Sequence, residues 1–213
     1  MDNEIKNTQT DGAGTAEKQK KGGVADFFAR RFTAKRIAIM AVFTALSLAV
    51  SFASFPIFPA SPVAFLELDF GNVFILLISF LLGPMEGVIV CVLKETLHML
   101  LSIRPTNGVG ELANMLMTSA YILLPAIVYQ YKKGLKWVIP SLVVACFIGT
   151  GAALVANRCI TFPMYMGWEM GGEMFFANIG LIIAFNFIKT ASIGILTILL
   201  YKRLSNFFKK WKV

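Results

Sequence analysis

The sequence predicts an all-α integral membrane protein with six transmembrane helices and both termini in the cytoplasm. Hydrophobic residues occupy 57% of the 213 positions and charged residues only 15%, a balance that soluble domains do not have. Long apolar windows can cross roughly 30 Å of hydrocarbon as helix. The basic residues gather at the ends of these windows, and this placement gives the direction in which each span crosses the membrane.

The apolar windows cover residues 36–55, 72–103, 110–131, 137–157 and 179–201. The second window is too long for one span. Near its centre stand Gly83 and Pro84, which can end one helix and begin the next, because proline at the first helical position needs no amide donor. Dividing the window there gives a short or tilted second span over 72–82 and a total of six spans.

The basic residues test the count of spans. Of the 20 lysines and arginines, 16 lie before the first span, between the fourth and fifth, or after the sixth. Six spans place all three groups on one side of the membrane, which the preference of positive residues for the cytoplasm predicts to be the inside. The net charge of +8 therefore indicates contact with the anionic inner leaflet rather than with nucleic acid.

The chain divides by composition into three parts. Residues 1–23 are polar and predict a disordered cytoplasmic tail. Residues 24–35 form a basic juxtamembrane segment, which fits a flank that obeys the charge rule better than a lipid-sensing interfacial helix. Residues 36–213 form the membrane domain. Its external segments, 56–70 and 158–178, are rich in aromatic residues and predict two lids over an outward-facing pocket.

The sequence contains no recognisable catalytic, metal-binding or nucleotide-binding motif. The single histidine and the unpaired spacing of Cys91, Cys146 and Cys159 argue against zinc, a disulfide scaffold or Cys/His catalysis. Neither a phosphate-binding loop nor an H-E-x-x-H set is present. Internal repeats or charged rings, which would indicate a secondary transporter or a channel, are also missing. We therefore predict no catalytic residue, no metal and no cofactor.

Polar side chains at membrane depth are the remaining candidates for function, because burying them there is costly. Asn186 and Lys189 are three residues apart and share one face of the sixth span. Asn157 lies near the outer end of the fifth span. Glu111 and Asn114 lie at the outer start of the fourth, where joining of helices and contact with a ligand are equally good interpretations.

The third span carries its own polar group, for which an internal network of ion pairs and hydrogen bonds is the favoured interpretation: Lys94, Glu95 and His98. Lys189 has no acidic residue within reach on its own helix. A ligand acceptor, or Glu95 or Glu111 from across the bundle, is expected to satisfy its ammonium group.

Four stretches carry a family resemblance: "LELDFGNVFILLISFLLGPMEGVIVCVLKETLHMLL", "GVGELANML", Asn157 with "FPMY", and "FNFIKTASIGI". Together they resemble the riboflavin-specific S components of energy-coupling factor (ECF) vitamin transporters, from about residue 36 to the C-terminus. The sequence departs from the family at Asn72, where aspartate is usual, at Phe74, where proline is usual, and in its longer N-terminal tail.

The resemblance implies a six-helix subunit of a prokaryotic plasma membrane that binds riboflavin with high affinity from outside. A coupling membrane subunit and two ATPases would then reorient it, so that riboflavin is a transported substrate and the chain itself is no enzyme. The alternative is an S component for another vitamin or a flavin analogue. Folate and biotin are examples, because a lysine can pair with their carboxylate. A small secondary transporter or a membrane enzyme is the alternative of another class.

The resemblance also implies roles for particular residues. Those implied to hydrogen-bond the flavin edge are Asn157, Asn186 and Lys189, and those implied to border the pocket are Leu66, Gly110, Glu111 and Asn114. The residues implied to contact the coupling subunit are Ala41, Ala45 and Ala49. Small residues four apart let another helix come close, although packing inside the bundle would use the same residues.

Overall fold

The computed structural model describes residues 32–101 and 108–210, with side chains to residue 203. Its helices are α1 (Ala34–Ser51), α2 (Asn72–Leu81), α3 (Pro84–Leu101), α4 (Val109–Tyr131), α5 (Leu135–Ala156), α6 (Phe162–Met166), α7 (Trp168–Ala177) and α8 (Ile179–Lys210). A π-helical turn, Asn157–Thr161, joins α5 to α6, and strands β1 (Phe55–Pro56) and β2 (Glu67–Leu68) pair antiparallel.

Backbone contacts divide the chain into two units, residues 1–37 and residues 38–213, and the packing described below is that of the second unit. The predicted disordered tail, residues 1–23, lies outside the described residues, as does most of the basic segment 24–35. Both assignments therefore stay predictions.

Each predicted apolar window contains a helix. Four helical segments are long and apolar enough to cross a membrane: Ala34–Ser51, Val109–Tyr131, Leu135–Met166 and Ile179–Arg203. Helix α2 has only 10 residues, about 15 Å at 1.5 Å per residue, and α3 carries Glu86, Lys94 and Glu95. The all-helical membrane fold is therefore confirmed, while the count of six spans and the side on which the termini lie stay predictions.

The break between α2 and α3 falls where the sequence predicts it. Helix α2 ends at Leu81, and α3 begins at Pro84. Gly83 between them has a φ of 133°, in a region that other residues rarely adopt. Glycine and proline thus act together, one permitting the turn and the other opening the next helix.

Helix α2 is short but lies at the centre of the bundle, in contact with α3, α4 and α8. Eight of its 10 residues are buried. A helix that is apolar on all sides belongs in a core rather than at a surface. Around α2, α4 packs along α3 and α5, and α5 packs against α8.

Helix α1 is attached to the bundle by polar contacts near its C-terminal end. Ser47 Oγ donates to the carbonyl oxygen of Gly71 at 2.8 Å, and Ser51 Oγ donates to Asp69 Oδ1 at 2.7 Å. A Cβ atom at Gly71 would lie 2.2 Å from Ser51 Oγ, so only glycine permits this approach. The opposite face of α1 is exposed and carries Ala41, Ala45 and Ala49.

The second external segment, residues 158–178, is largely helical, because the π-helical turn, α6 and α7 cover most of it. Its predicted role as a lid stays a prediction. Val63 of the first external segment is buried against Phe162, Phe175 and Ile182. The two segments therefore pack through one hydrophobic cluster, because each carries apolar residues that the other can cover.

Candidate ligand-binding cavity

A cavity of about 140 Å³ lies beneath the two external segments. Its lining consists of Ser54, Phe65, Leu66, Glu67, Asp69, Lys94, Glu95, His98, Gly110, Glu111, Ala113, Asn114, Met117, Ala153, Asn157, Thr161, Tyr165, Phe185, Asn186 and Lys189. This lining includes every residue predicted to bind or border a ligand. Their contact with a ligand stays a prediction.

The π-helical turn between α5 and α6 brings Asn157 and Thr161 into this lining. Such turns often occur at functional sites, because they realign the side chains that follow. Asn157 Nδ2 donates to the carbonyl oxygen of Ala153 at 2.8 Å. Asn157 Oδ1 and Thr161 Oγ1 are buried and have no hydrogen-bond partner within the described part of the chain. Because a buried polar atom without a partner costs about 1–3 kcal/mol, both atoms are candidates for ligand contact.

Helix α8 supplies Asn186 and Lys189. Asn186 Nδ2 donates to the carbonyl oxygen of Ile182 at 2.8 Å. Lys189, only 5% exposed, donates from Nζ to Asn114 Oδ1 at 2.7 Å, and its Nζ lies 5.8 Å from the ring centroid of Phe185. The sequence led us to expect a ligand or a carboxylate as the partner of this lysine, whereas the structure supplies an amide oxygen.

Lys94 is the centre of a buried ion-pair cluster. Its ammonium group contacts Asp69 and also Glu95, the latter at 2.8 Å. Asp69 Oδ1 in turn accepts hydrogen bonds from Ser51 Oγ and from the Gly71 amide, both at 2.7 Å. Burial alone would raise the pKa of Asp69, but the Lys94 ammonium group beside it brings that pKa below its usual value. The carboxyl group is therefore held in its charged form.

Asp69 is not among the residues that the sequence pattern predicts to have a functional role. The available signal was an acid placed among apolar residues immediately before a buried helix. The predicted internal network of Lys94 and Glu95 is confirmed, but its third member is Asp69 and not the predicted His98. His98 Nδ1 lies 3.1 Å from Glu111 Oε1 and so joins α3 to α4 separately.

Asn114 connects the ion-pair cluster to Lys189. Its Oδ1 accepts from Lys189, from Asn72 Nδ2 at 3.2 Å and from Thr118 Oγ1 at 3.4 Å. Its Nδ2 donates to Glu95 Oε1. The interpretation that Glu111 and Asn114 join helices is thus confirmed, and ligand contact by either one stays a prediction.

Aromatic rings supply much of the apolar part of the lining. The ring centroids of Phe65 and Tyr165 are 5.4 Å apart, and Phe65 also packs edge-on against Phe162 at 5.4 Å. The cavity thus combines aromatic side chains with a few fixed polar groups. Such a lining suits a ligand with a flat aromatic body and a polar edge.

The ionisable groups of the lining carry a net negative formal charge. Four carboxyl groups, those of Glu67, Asp69, Glu95 and Glu111, face two ammonium groups, those of Lys94 and Lys189. Among the described lining residues, the formal charge is therefore −2 when His98 is neutral.

The family to which the chain belongs is shown by comparison with known proteins. The sequence profile of the family described as "ECF transporter, substrate-specific component" matches residues 35–201. The chain belongs to this family of S components. It is 33% identical over 181 residues to "Riboflavin transporter RibU" of Staphylococcus aureus (strain TCH60). The aligned region covers 83% of this chain and 93% of that protein.

A solved structure supports the same assignment. It is described as "Structure and mechanism of the S component of a bacterial ECF transporter" and superposes with a TM-score of 0.70 at 34% sequence identity. The match covers 82% of this S component and 98% of the solved chain. The resemblance that the sequence motifs indicated is confirmed, and the family is one of transporter subunits rather than enzymes.

Proposed function

We propose that this S component binds riboflavin with high affinity from outside a prokaryotic plasma membrane, as a transported substrate. The observation that carries the proposal is a buried acceptor without a partner in the described chain, Asn157 Oδ1, in the same cavity as the Lys189 ammonium group. The similarity to a riboflavin transporter over most of both chains supports it.

The chemistry of the flavin ring fits these groups. One edge of an isoalloxazine presents an N–H donor between two carbonyl acceptors. Asn157 Oδ1 can accept from that N–H, while Lys189 and the hydroxyl group of Thr161 can donate to the carbonyl oxygens. Phe65 and Tyr165 supply aromatic surface for the ring face. The carbonyl group of Asn186 adds a further acceptor to the same lining.

The charge of the lining favours riboflavin over vitamins that carry a carboxylate. Folate and biotin would bring a carboxylate to a cavity in which carboxyl groups outnumber ammonium groups among the described lining residues and Lys94 is already paired with Asp69 and Glu95. The 5′-phosphate of riboflavin meets the same opposition. Another uncharged vitamin or a flavin analogue is the remaining alternative within the family.

The topology that we propose has six spans. Four are the long apolar helices, and the other two are α2 and α3. Both termini lie in the cytoplasm. Three groups of basic residues on one side support it. A coupling transmembrane subunit and two ATPases are the proposed partners. The exposure of Ala41, Ala45 and Ala49 supports a contact of α1 with another protein, because packing within the bundle would have buried these residues.

Titration of the purified protein tests the ligand. Riboflavin fluorescence should be quenched on binding, and riboflavin should bind at least about tenfold more tightly than its 5′-phosphate, a difference of roughly 1.4 kcal/mol. Folate and biotin serve as carboxylate-bearing competitors and should not displace it. Absence of riboflavin binding, or a preference for the phosphate, would contradict the proposal.

Reconstituted uptake tests the class of transporter. Proteoliposomes with the chain alone should bind riboflavin but not accumulate it, whereas accumulation should need the coupling subunit, the ATPases and ATP. Accumulation by the chain alone, driven by an ion gradient, would instead indicate a small secondary transporter.

A further inference from the structure

We infer that Glu95 and Asn114 are positioning residues that set the direction in which Lys189 donates hydrogen bonds, a role that rests on the proposed riboflavin site. Glu95 acts on the lysine through the amide of Asn114. Both residues then govern ligand affinity without supplying the group that recognises the flavin edge.

The surroundings of Asn114 define which way its amide points. On the Oδ1 side lie three donors, which belong to Lys189, Asn72 and Thr118. On the Nδ2 side lies the carboxylate of Glu95. Turning the amide over would place its NH₂ group against an ammonium group and its oxygen against a carboxylate. One orientation is therefore favoured at both ends of the amide.

Glu95 is itself held in place. It is 3% exposed, and its Oε1 accepts from Lys94 Nζ at 2.8 Å. Lys94, which is 1% exposed, is also paired with Asp69. The same oxygen, Glu95 Oε1, therefore accepts from both Lys94 and Asn114, and the ion pair with Lys94 fixes the carboxylate that orients Asn114.

A fixed amide oxygen constrains the lysine. The ammonium group is tetrahedral, so the hydrogen bond of 2.7 Å to Asn114 Oδ1 sets the rotation about the Cε–Nζ bond. The directions of the other two N–H groups are then set as well. Lys189 lines the cavity, and those N–H groups are the donors that a flavin carbonyl can use. Prior fixing of a donor strengthens binding because less side-chain freedom is lost when the ligand arrives.

A double-mutant cycle tests this inference by riboflavin titration of the purified full chain. Glu95→Gln keeps the shape and an acceptor but removes the charge, and it should weaken binding by about 5- to 10-fold. The same substitution made in a Lys189→Met background should change affinity by less than about twofold, because the residue through which Glu95 acts is gone. Equal factors in both backgrounds would mean that Glu95 acts on the ligand directly and would overturn the inference.

A swap of the two groups provides a rescue. Asn114→Asp sets one carboxylate against another and should weaken binding strongly. Adding Glu95→Gln removes the repulsion between the two carboxylates, while Asp at position 114 keeps an acceptor for Lys189. The double variant should therefore bind within about threefold of Glu95→Gln alone, and failure of this rescue would count against the inference.

Thr118→Val is the matched control, since Thr118 donates to the same Asn114 oxygen only at 3.4 Å. It should change affinity by less than about twofold.

Gel filtration reports whether each variant folds. Aggregation of Glu95→Gln would show that Glu95 serves stability and would overturn the inference. Absence of riboflavin binding by the unaltered chain would refute the proposed function together with the inference, whereas binding with additive mutational effects would refute the inference alone.

Discussion

Lys189→Ala should weaken riboflavin binding far more than it weakens the fold. The lysine is 5% exposed and donates to Asn114 Oδ1 at 2.7 Å. When it is removed, that oxygen keeps Asn72 and Thr118 as donors at 3.2 and 3.4 Å. Within the described residues, the acceptor that loses Lys189 thus keeps other donors, and the cost of burying the ammonium group disappears with the side chain.

The loss of binding can be estimated from the bond that the flavin edge would lose. A hydrogen bond to a charged group contributes roughly 1.5–3 kcal/mol. Since each 1.4 kcal/mol is tenfold in affinity, the dissociation constant for riboflavin should rise by about 10- to 150-fold. Asn186→Ala removes a neutral group, worth about 0.5–1.5 kcal/mol, and should cost about 2- to 13-fold.

Fluorescence-quenching titration gives both affinities, and thermal unfolding without ligand gives the stabilities. Lys136→Ala is the control, because this lysine is exposed and its removal should change neither quantity. Unchanged riboflavin affinity in a well-folded Lys189→Ala variant would refute the reasoning. A loss no larger than that of Asn186→Ala would show that the charge of Lys189 contributes nothing specific.

Three further outcomes are expected. Ala45→Leu should abolish assembly with the coupling subunit, or uptake, and leave affinity nearly unchanged, because Ala45 is exposed on α1; a parallel fall in affinity would point to internal packing. Gly71→Ala should lower the unfolding temperature, with overpacking of about 1–3 kcal/mol, because its Cβ would lie 2.2 Å from Ser51 Oγ; an unchanged temperature would mean that α1 shifts freely. Trp168→Cys should react with an impermeant thiol reagent only from outside, in a background without the three native cysteines; labelling only from inside would refute the six-span topology.

Much of the fold could be predicted from the sequence because a bilayer imposes local rules. A helix in hydrocarbon satisfies its own backbone and faces lipid with apolar side chains, so the spans appear as long, mainly apolar windows. The boundary at Gly83 and Pro84 could be read in the same way, since proline and glycine act on the residues next to them. Polar residues inside the windows stood out by their cost, which is why Asn157, Asn186 and Lys189 were found.

Pairing of those polar residues could not be predicted, because it depends on contacts between distant parts of the chain. The partner of Lys189 is Asn114, 75 positions away, and that of Lys94 is Asp69, 25 positions away. Asn72 departs from the family pattern, yet its Nδ2 donates to Asn114 Oδ1, the same oxygen that accepts from Lys189. An aspartate there would offer no such donor unless it were protonated.

The sequence alone determined that the chain is a helical membrane protein and which polar residues needed an explanation, because hydropathy and charge act residue by residue along each span. Only the tertiary structure decided that α2 lies at the centre despite its length, that most of residues 158–178 is helical, and that one amide links the ion pair of Lys94 to Lys189. These features depend on how helices pack against one another, and packing is fixed by complementary shapes and donors rather than by any local pattern.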